Sequence, residues 1–385
     1  MSDHPRHNPA QARHLLSRRE FIKSVSIAAA GALIAGCTPT TAPADTAVPA
    51  ATAAANTPAA STGVQPVVSI VRAASYDPKL IRQQVQAALD AIGGVADVLK
   101  HGNRVAIKVN MTGSKQMAKV SGLPEVETYH THPEVVRAVG QLLRDAGVTK
   151  LYIVEAVYSQ AHWHDYGWDE VAKSLDATLV DLNDFAPYKD FAAIPVVGTP
   201  NVYDKFTLNP VLSEIDAFVS IPKMKCHSTL GVTHSVKNLV GLVPYRFYTL
   251  AKTDEYRSGF HGQASETPKR LPGVVMDLNR ARPVNLAVID GIMTVDGGEG
   301  PWINGLNQLK PGVIFAGKDP VATDAVATSA MGFDPQADYP SDPFPHAQNH
   351  LNMAHQLGLG TNVLSEIKVV GPSIADIQMK FKVSY

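Results

Sequence analysis

The chain has 385 residues, 34 Lys and Arg against 35 Asp and Glu, and 45% hydrophobic residues. That balance excludes the sustained basic excess of a nucleic-acid partner and leaves room for one large domain or two ordinary ones. Two cysteines, Cys37 and Cys226, exclude a four-cysteine iron–sulfur cluster.

The amino terminus reads as an address. Ser17-Arg18-Arg19-Glu20-Phe21-Ile22-Lys23 matches the twin-arginine export pattern, and the apolar run Val25 to Ala35 is too short for a permanent span. Leu33-Ile34-Ala35-Gly36-Cys37 resembles a bacterial lipobox, which implies cleavage before Cys37 and acylation of its thiol. Cys226 then has no disulfide partner. Residues 1–37 are thus expected to be a signal, and 38–65, rich in Ala, Thr and Pro, a disordered tether. The expected location is the periplasm or cell envelope, with a lipid anchor in the membrane and the twin-arginine export machinery as a partner.

Residues 66–385 read as the folded part. Val67 to Val71 is a strand, and Asp77-Pro78 opens a helix carried by Leu80, Ile81, Val85, Ala88 and Leu89. Arg104 to Val109 is the next strand, followed by a long loop to His130. Thr131-His132-Pro133-Glu134 reads as a capping box opening a second helix. A strand at 151–154, a helix at 167–175 and a strand at 177–182 follow, and His162-Trp163-His164 reads as surface loop. The alternation predicts an α/β fold, a mostly parallel sheet flanked by helices, in one domain or two closely packed lobes. Phe185 to Pro210 breaks it with four prolines and marks the possible lobe boundary.

The second half begins with a buried strand, Ile215 to Ile221. Pro222 stops it, and Lys223, Lys225, His227, His234 and Lys237 follow without an Asp or Glu before Pro244. This stretch predicts an anion-binding or catalytic loop beyond a strand end, with a helix through 235–240. Thr249 to Leu271 reads as irregular. Strands are expected at 284–289, ending in Asp290, and at 313–316, and Asp319-Pro320 caps a helix carrying Asp324. Ile367 to Val370 and Met379 to Val383 read as edge strands. If the strands are parallel neighbours, Lys108, Asn110, Glu155, Lys223, Lys225 and Asp290 converge. Crowded lysines depress one another's pKa, which suits proton transfer to or from a small anion.

Pro222-Lys223-x-Lys225-x-His227 and Lys237-Asn238-x-x-Gly241 together resemble the signature of the domain of unknown function 362 family. Ile107-Lys108-x-Asn110, Ile289-Asp290-Gly291, Gly300-Pro301 and Asp319-Pro320-Val321-Ala322-x-Asp324 fit the same family, over roughly Val67 to Gly360. The resemblance implies an architecture and a site without a settled reaction. It adds His261, because the family tends to place a histidine there, and argues against a nucleophilic Cys226, where the family usually has Thr. A fainter likeness, of element pattern alone, is to the nickel-pincer lactate racemase fold. The expected site has His227, Lys223, Lys237 and Asp290 as catalytic groups. Lys108, Asn110, Lys225, Asn238, His261, Gly300 and Asp324 bind the ligand, and Lys223→Ala or Lys237→Ala removes binding without unfolding the chain. Two readings compete with an anion site. One is a metal held by His227, His261 and one of Glu155, Asp290 or Asp324; the other is a non-enzymatic assembly factor for an exported redox system. His346 and His350, four apart, would share a helix face but lack the following Glu of a metalloprotease.

Overall fold

The computed structural model describes residues 65–113, 119–254 and 256–383. The export signal, Cys37 and all but the last residue of the tether lie outside them. Apolar runs form the strands β1 (Val67–Arg72), β2 (Arg104–Lys108), β3 (Lys150–Glu155), β4 (Thr178–Asp181), β5 (Ala192–Pro195) and β6 (Lys205–Leu208). They continue with β7 (Ala217–Ser220), β8 (Lys225–His227), β9 (Gly231–Thr233), β10 (Leu286–Gly291), β11 (Thr294–Asp296), β12 (Asn307–Leu309), β13 (Val313–Gly317) and β14 (Lys368–Val370). Eight of these make one sheet in the order β14-β1-β13-β10-β7-β2-β3-β4.

Only β13 runs against its neighbours in that sheet. The other five pairings are parallel. Helical crossovers explain the parallel pairs, while β10 returns to β13 through the short β11–β12 hairpin and therefore arrives antiparallel. The carboxyl ends of β1, β2, β3, β4, β7 and β10 thus open on one edge. The α/β expectation of a mostly parallel, helix-flanked sheet holds.

Both faces of the sheet are covered, which is why its inner strands read as continuous apolar runs. Helices Pro78–Ala91, Pro133–Asp145 and Trp168–Leu175 share one core with Val105, Ile107 and Val219. On the other face Ala106, Val154 and Phe218 meet helices Thr267–Ala281 and His350–Gln356. Helix Pro320–Ala330 covers β1, β10 and β13 through Val326 against Ile289 and Phe315.

Several local expectations change. His132, not Thr131, caps its helix, its Nδ1 accepting from Glu134 N–H at 3.2 Å. His162 is buried in the turn Ala161–Asp165 rather than at the surface. Residues 379–383 form no strand. Helix His350–Gln356 begins at His350, so His346 shares no face with it. Helix Thr267–Ala281 was hidden by its prolines: Pro272 cannot donate to Pro268 O, and Gln348 N–H takes that carbonyl at 2.8 Å. The proline-rich excursion at 185–210 contains the β5–β6 hairpin, and Asp277 ties it to this helix by accepting from the N–H groups of Asn201, Val202 and Tyr203.

Candidate functional site

The Lys-x-Lys-x-His signature is an extended segment, not a loop. After Pro222 the chain stays paired to β10: Met224 N–H donates to Asp290 O, and Asp290 N–H to Pro222 O, both at 2.9 Å. Lys225–His227 then turns back on Gly231–Thr233 as the β8–β9 hairpin. A period of two puts Lys223, Lys225 and His227 on one side and Met224 and Cys226 on the other, inside the apolar core. Burial therefore pushes the Cys226 thiol pKa well up, the reverse of activation. Gly231, with φ of 78°, makes the reversal; a Cβ there would come within 2.5 Å of Pro343 O.

The signature cations take three different places. Lys223 is closed in: its Nζ donates to Asp290 Oδ2 at 2.7 Å, to Tyr76 OH at 2.9 Å, and to the carbonyls of Val126 and Met293 at 3.0 Å. Asp290 is equally satisfied, its Oδ1 accepting from Tyr76 OH and its Oδ2 also from His132 N–H. Neither has an open atom, so the expected catalytic pair becomes a structural one. Lys225 donates to the carbonyls of Tyr129 at 2.6 Å and Glu299 at 3.0 Å, with no carboxylate in contact. Burial drives its pKa well below the usual lysine range, and a neutral amine has two hydrogens for those two carbonyls.

A second buried pair joins β2 to β3, with Lys108 Nζ 2.8 Å from Glu155 Oε1. Burial pushes the lysine pKa down and the carboxyl pKa up, while the pairing opposes both shifts. Gly241 rests against this pair; a Cβ there would sit 2.4 Å from Glu155 Oε1 and 2.6 Å from Lys108 Nζ. Gly241→Ala is expected to cost about 1–3 kcal/mol by overpacking, read as a lower urea midpoint. Asn238 completes the join, its Nδ2 donating to Lys108 O at 3.3 Å and to Ser220 Oγ at 3.1 Å. Its Oδ1 accepts from Asn110 Nδ2 at 3.3 Å, and Asn110 Oδ1 is buried without a partner among the described residues. The Lys-Asn-x-x-Gly motif thus supplies one cation, one clamp across two strand ends and one gap.

Lys237 is the cation that stays open. It starts the 3-10 turn Lys237–Leu242, is half-buried, and makes no hydrogen bond or ion pair to the described residues. Burial lowers its pKa to about 8, Lys108 and Arg257 push the same way, and Glu299 opposes them. Asp324 sets the turn rather than a ligand: its two carboxylate oxygens accept from Ser235 N–H and Val236 N–H, both at 2.8 Å. Asp324→Ala leaves two buried N–H groups unpaired, so a loss of about 1–3 kcal/mol for each is expected in denaturant titrations.

His227, His261, Glu299 and Arg257 lie within electrostatic reach of Lys237. His227 Nδ1 accepts from Thr229 N–H at 3.1 Å and Leu230 N–H at 3.2 Å, which leaves Nε2 to carry the hydrogen. Burial, then Lys237, holds its pKa well below the ordinary range, so the ring is a neutral donor. His261 ends the turn Ser258–His261, and the same two causes lower it to about 4. Burial alone would raise Glu299, but His227, Ser228 N–H, Trp302 and Lys237 outweigh it and hold the carboxyl at about 2. Arg257 donates from Nε to Val243 O at 2.8 Å; its Nη2 is buried and unpartnered among the described residues.

Glu299 and Arg257 escaped the sequence reading. Glu299 stands in Gly297-Gly298-Glu299-Gly300-Pro301, of which only Gly300-Pro301 carries the family resemblance, and no motif includes Arg257. Gly300 lies under the Trp302 ring, 2.3 Å from where a Cβ would be. The metal set is not assembled. Glu155 is held by Lys108, Asp290 by Lys223 and Asp324 by two N–H groups, and among the described residues no three His, Cys, Asp or Glu side chains are placed to hold an ion. Two open depressions elsewhere, one beside Arg82 and Arg137 and one beside Lys269 and Arg270, lack convergent buried groups.

A thylakoid-associated protein of Synechocystis sp. is 26% identical over 271 residues, 70% of this chain and 75% of that protein. The lactate racemase apoprotein of Thermoanaerobacterium thermosaccharolyticum aligns at 14% identity and a TM-score of 0.36, over 64% of this chain and 54% of its own. A crystal structure of a Thermotoga maritima protein aligns at 11% identity and a TM-score of 0.32, over 65% and 57%. The chain therefore spans little more than half of either solved structure. The family model described as domain of unknown function (DUF362) matches residues 105–329, more than half of the chain and every strand end of the candidate site, and the protein belongs to that family.

Proposed function

We propose that the cleft around Lys237 binds a small organic anion and exchanges a proton with it. One observation carries this reading: Lys237 is an open, half-buried amine with a pKa of about 8, within electrostatic reach of Arg257, whose Nη2 has no partner among the described residues. Arg257 neutralises the anion's charge. The neutral His227 Nε2–H donates to a developing oxyanion. Lys237, near the pKa best suited to working at neutral pH, takes or returns the proton. Glu299 keeps the cations from expelling one another before the anion arrives.

The test is deuterium wash-in. Acetate, lactate and other carboxylates are incubated with the protein in heavy water, and inorganic phosphate is screened for binding by thermal shift. Exchange at carbon that is lost in Lys237→Ala supports the reading. No exchange with any carboxylate, together with no melting shift from any anion, sinks it.

We infer also that the protein is exported by the twin-arginine route and held to a membrane through Cys37. The motif at 17–23 and the lipobox support this, as does the relative described as thylakoid-associated. Among the described residues no helix is long and apolar enough to cross a membrane. Cys37→Ala is expected to move the protein from the membrane to the soluble fraction of the cell envelope. A wild-type distribution on fractionation would remove the lipid anchor from the account.

A further inference from the structure

Two aromatic side chains near the cleft are held in place and yet left open. Trp302 is 41% exposed, although its ring is fixed on three sides. Its indole Nε1 donates to Glu299 Oε1 at 3.0 Å, it covers Gly300, and it meets Tyr129 edge-on with centroids 6.3 Å apart. Tyr256 is also 41% exposed and lies edge-on to His261 at 6.2 Å. The two rings are thus attached to two members of the same charged cluster, Glu299 and His261. Phe247 and Leu250, in the segment leading to Tyr256, are exposed as well.

An exposed indole normally costs free energy in water, and a surface tryptophan that needs no contact has no reason to be fixed by a buried carboxylate and a glycine gap. Gly300 answers directly: any Cβ there would drive the ring off its seat. The ring therefore has a set orientation beside the cations before any ligand arrives, which lowers the ordering cost of stacking on it.

We propose that the anion taken by this cleft carries a planar, aromatic body, with its charge at Lys237 and Arg257 and its ring against Trp302 and Tyr256. The proposal rests on the anion-binding reading above and narrows it to a substrate class. An aliphatic acid of the same charge fills the cationic end and leaves the aromatic rim wet.

The test uses three probes of equal charge: benzoate, cyclohexanecarboxylate and acetate. The other two tryptophans, Trp163 and Trp168, are 7% and 0% exposed, so acrylamide quenching reports on Trp302. Each probe is titrated by calorimetry and by protection of Trp302 from acrylamide. Benzoate is expected to bind about tenfold more tightly than cyclohexanecarboxylate, in line with the added worth of aromatic stacking, and to shield Trp302. Trp302→Leu keeps an apolar side chain and is expected to erase that preference; Tyr256→Leu, farther from the buried carboxylate, is expected to reduce it. Equal affinities for all three acids in the wild type, with binding still lost in Lys237→Ala, overturn the aromatic substrate class and leave the anion site standing. Binding of none of the three overturns the aromatic class, and the anion reading falls with it when deuterium exchange and the melting shift with phosphate are absent too. A benzoate preference that survives Trp302→Leu and Tyr256→Leu also overturns the proposal.

Discussion

Lys223→Ala is expected to lower the stability of the folded chain by roughly 3–5 kcal/mol, the usual cost of stripping one partner from a buried ion pair. Lys223 and Asp290 are both fully buried, and the ammonium fills a space between Tyr76 OH and two carbonyls. Without it, Asp290 keeps a carboxylate in the interior with no cation, and the carbonyls of Val126 and Met293 lose a donor. A loss of that size is a large part of the 5–15 kcal/mol margin typical of native proteins. Urea titration reads it as a large fall in midpoint. Asp290→Asn should destabilise too, and the double variant by less than the sum of the two, because the pair is one interaction. A variant as stable as wild type but unable to bind an anion would return Lys223 to the site.

Lys237 should respond in the opposite way. Its charge is held in a half-buried position with no acceptor among the described residues, so the fold is strained by it rather than tied by it. The folded pKa of about 8 lies below the ordinary lysine value of about 10.4. The unfolded chain therefore binds more protons between those two values, and wild-type stability rises with pH across that window. Lys237→Met is expected to be more stable than wild type at pH 7, with the gap closing between about pH 8 and 10. Binding has the matching profile. Benzoate affinity should be flat below pH 8 and fall above it as the ammonium is lost. Lys237→Arg should keep binding at the higher pH, since a guanidinium does not titrate there. Lys237→Ala should bind about tenfold or more weakly below pH 8, the worth of one hydrogen bond to a charged group, with the gap to wild type narrowing at higher pH as the wild-type ammonium is lost. A stabilising substitution that removes binding is the pattern expected where function is kept at the expense of the fold.

The contrast between these two lysines marks what the sequence could and could not reveal. The parallel sheet was legible because strands of branched residues alternate with amphipathic helices, and each crossover must return in the same direction. The convergence of Lys108, Glu155, Lys223 and Asp290 followed from that topology. Their pairing did not. Each lysine's carboxylate comes from another strand, so the basic stretch looked unbalanced when its counter-charges were distant in the chain. The period-two spacing of Lys223, Lys225 and His227 was visible, but Pro222 drew attention to a loop; the bridge to Asp290 shows that a proline can open an extended segment as well as close one. Arg257 and Glu299 had no local signal, because a lone charge beside glycines or in a polar stretch resembles any surface residue until the chain folds around it.

The account turns on Lys237 being an open amine of lowered pKa where an anion sits. Trace acetylation of the native protein with acetic anhydride measures this directly, with the extent of Lys237 modification read by mass spectrometry across a pH series, with and without benzoate. The account predicts half-maximal reactivity near pH 8, well below that of the surface lysines, and protection when benzoate is present. A profile matching the surface lysines, unchanged by benzoate, would contradict it.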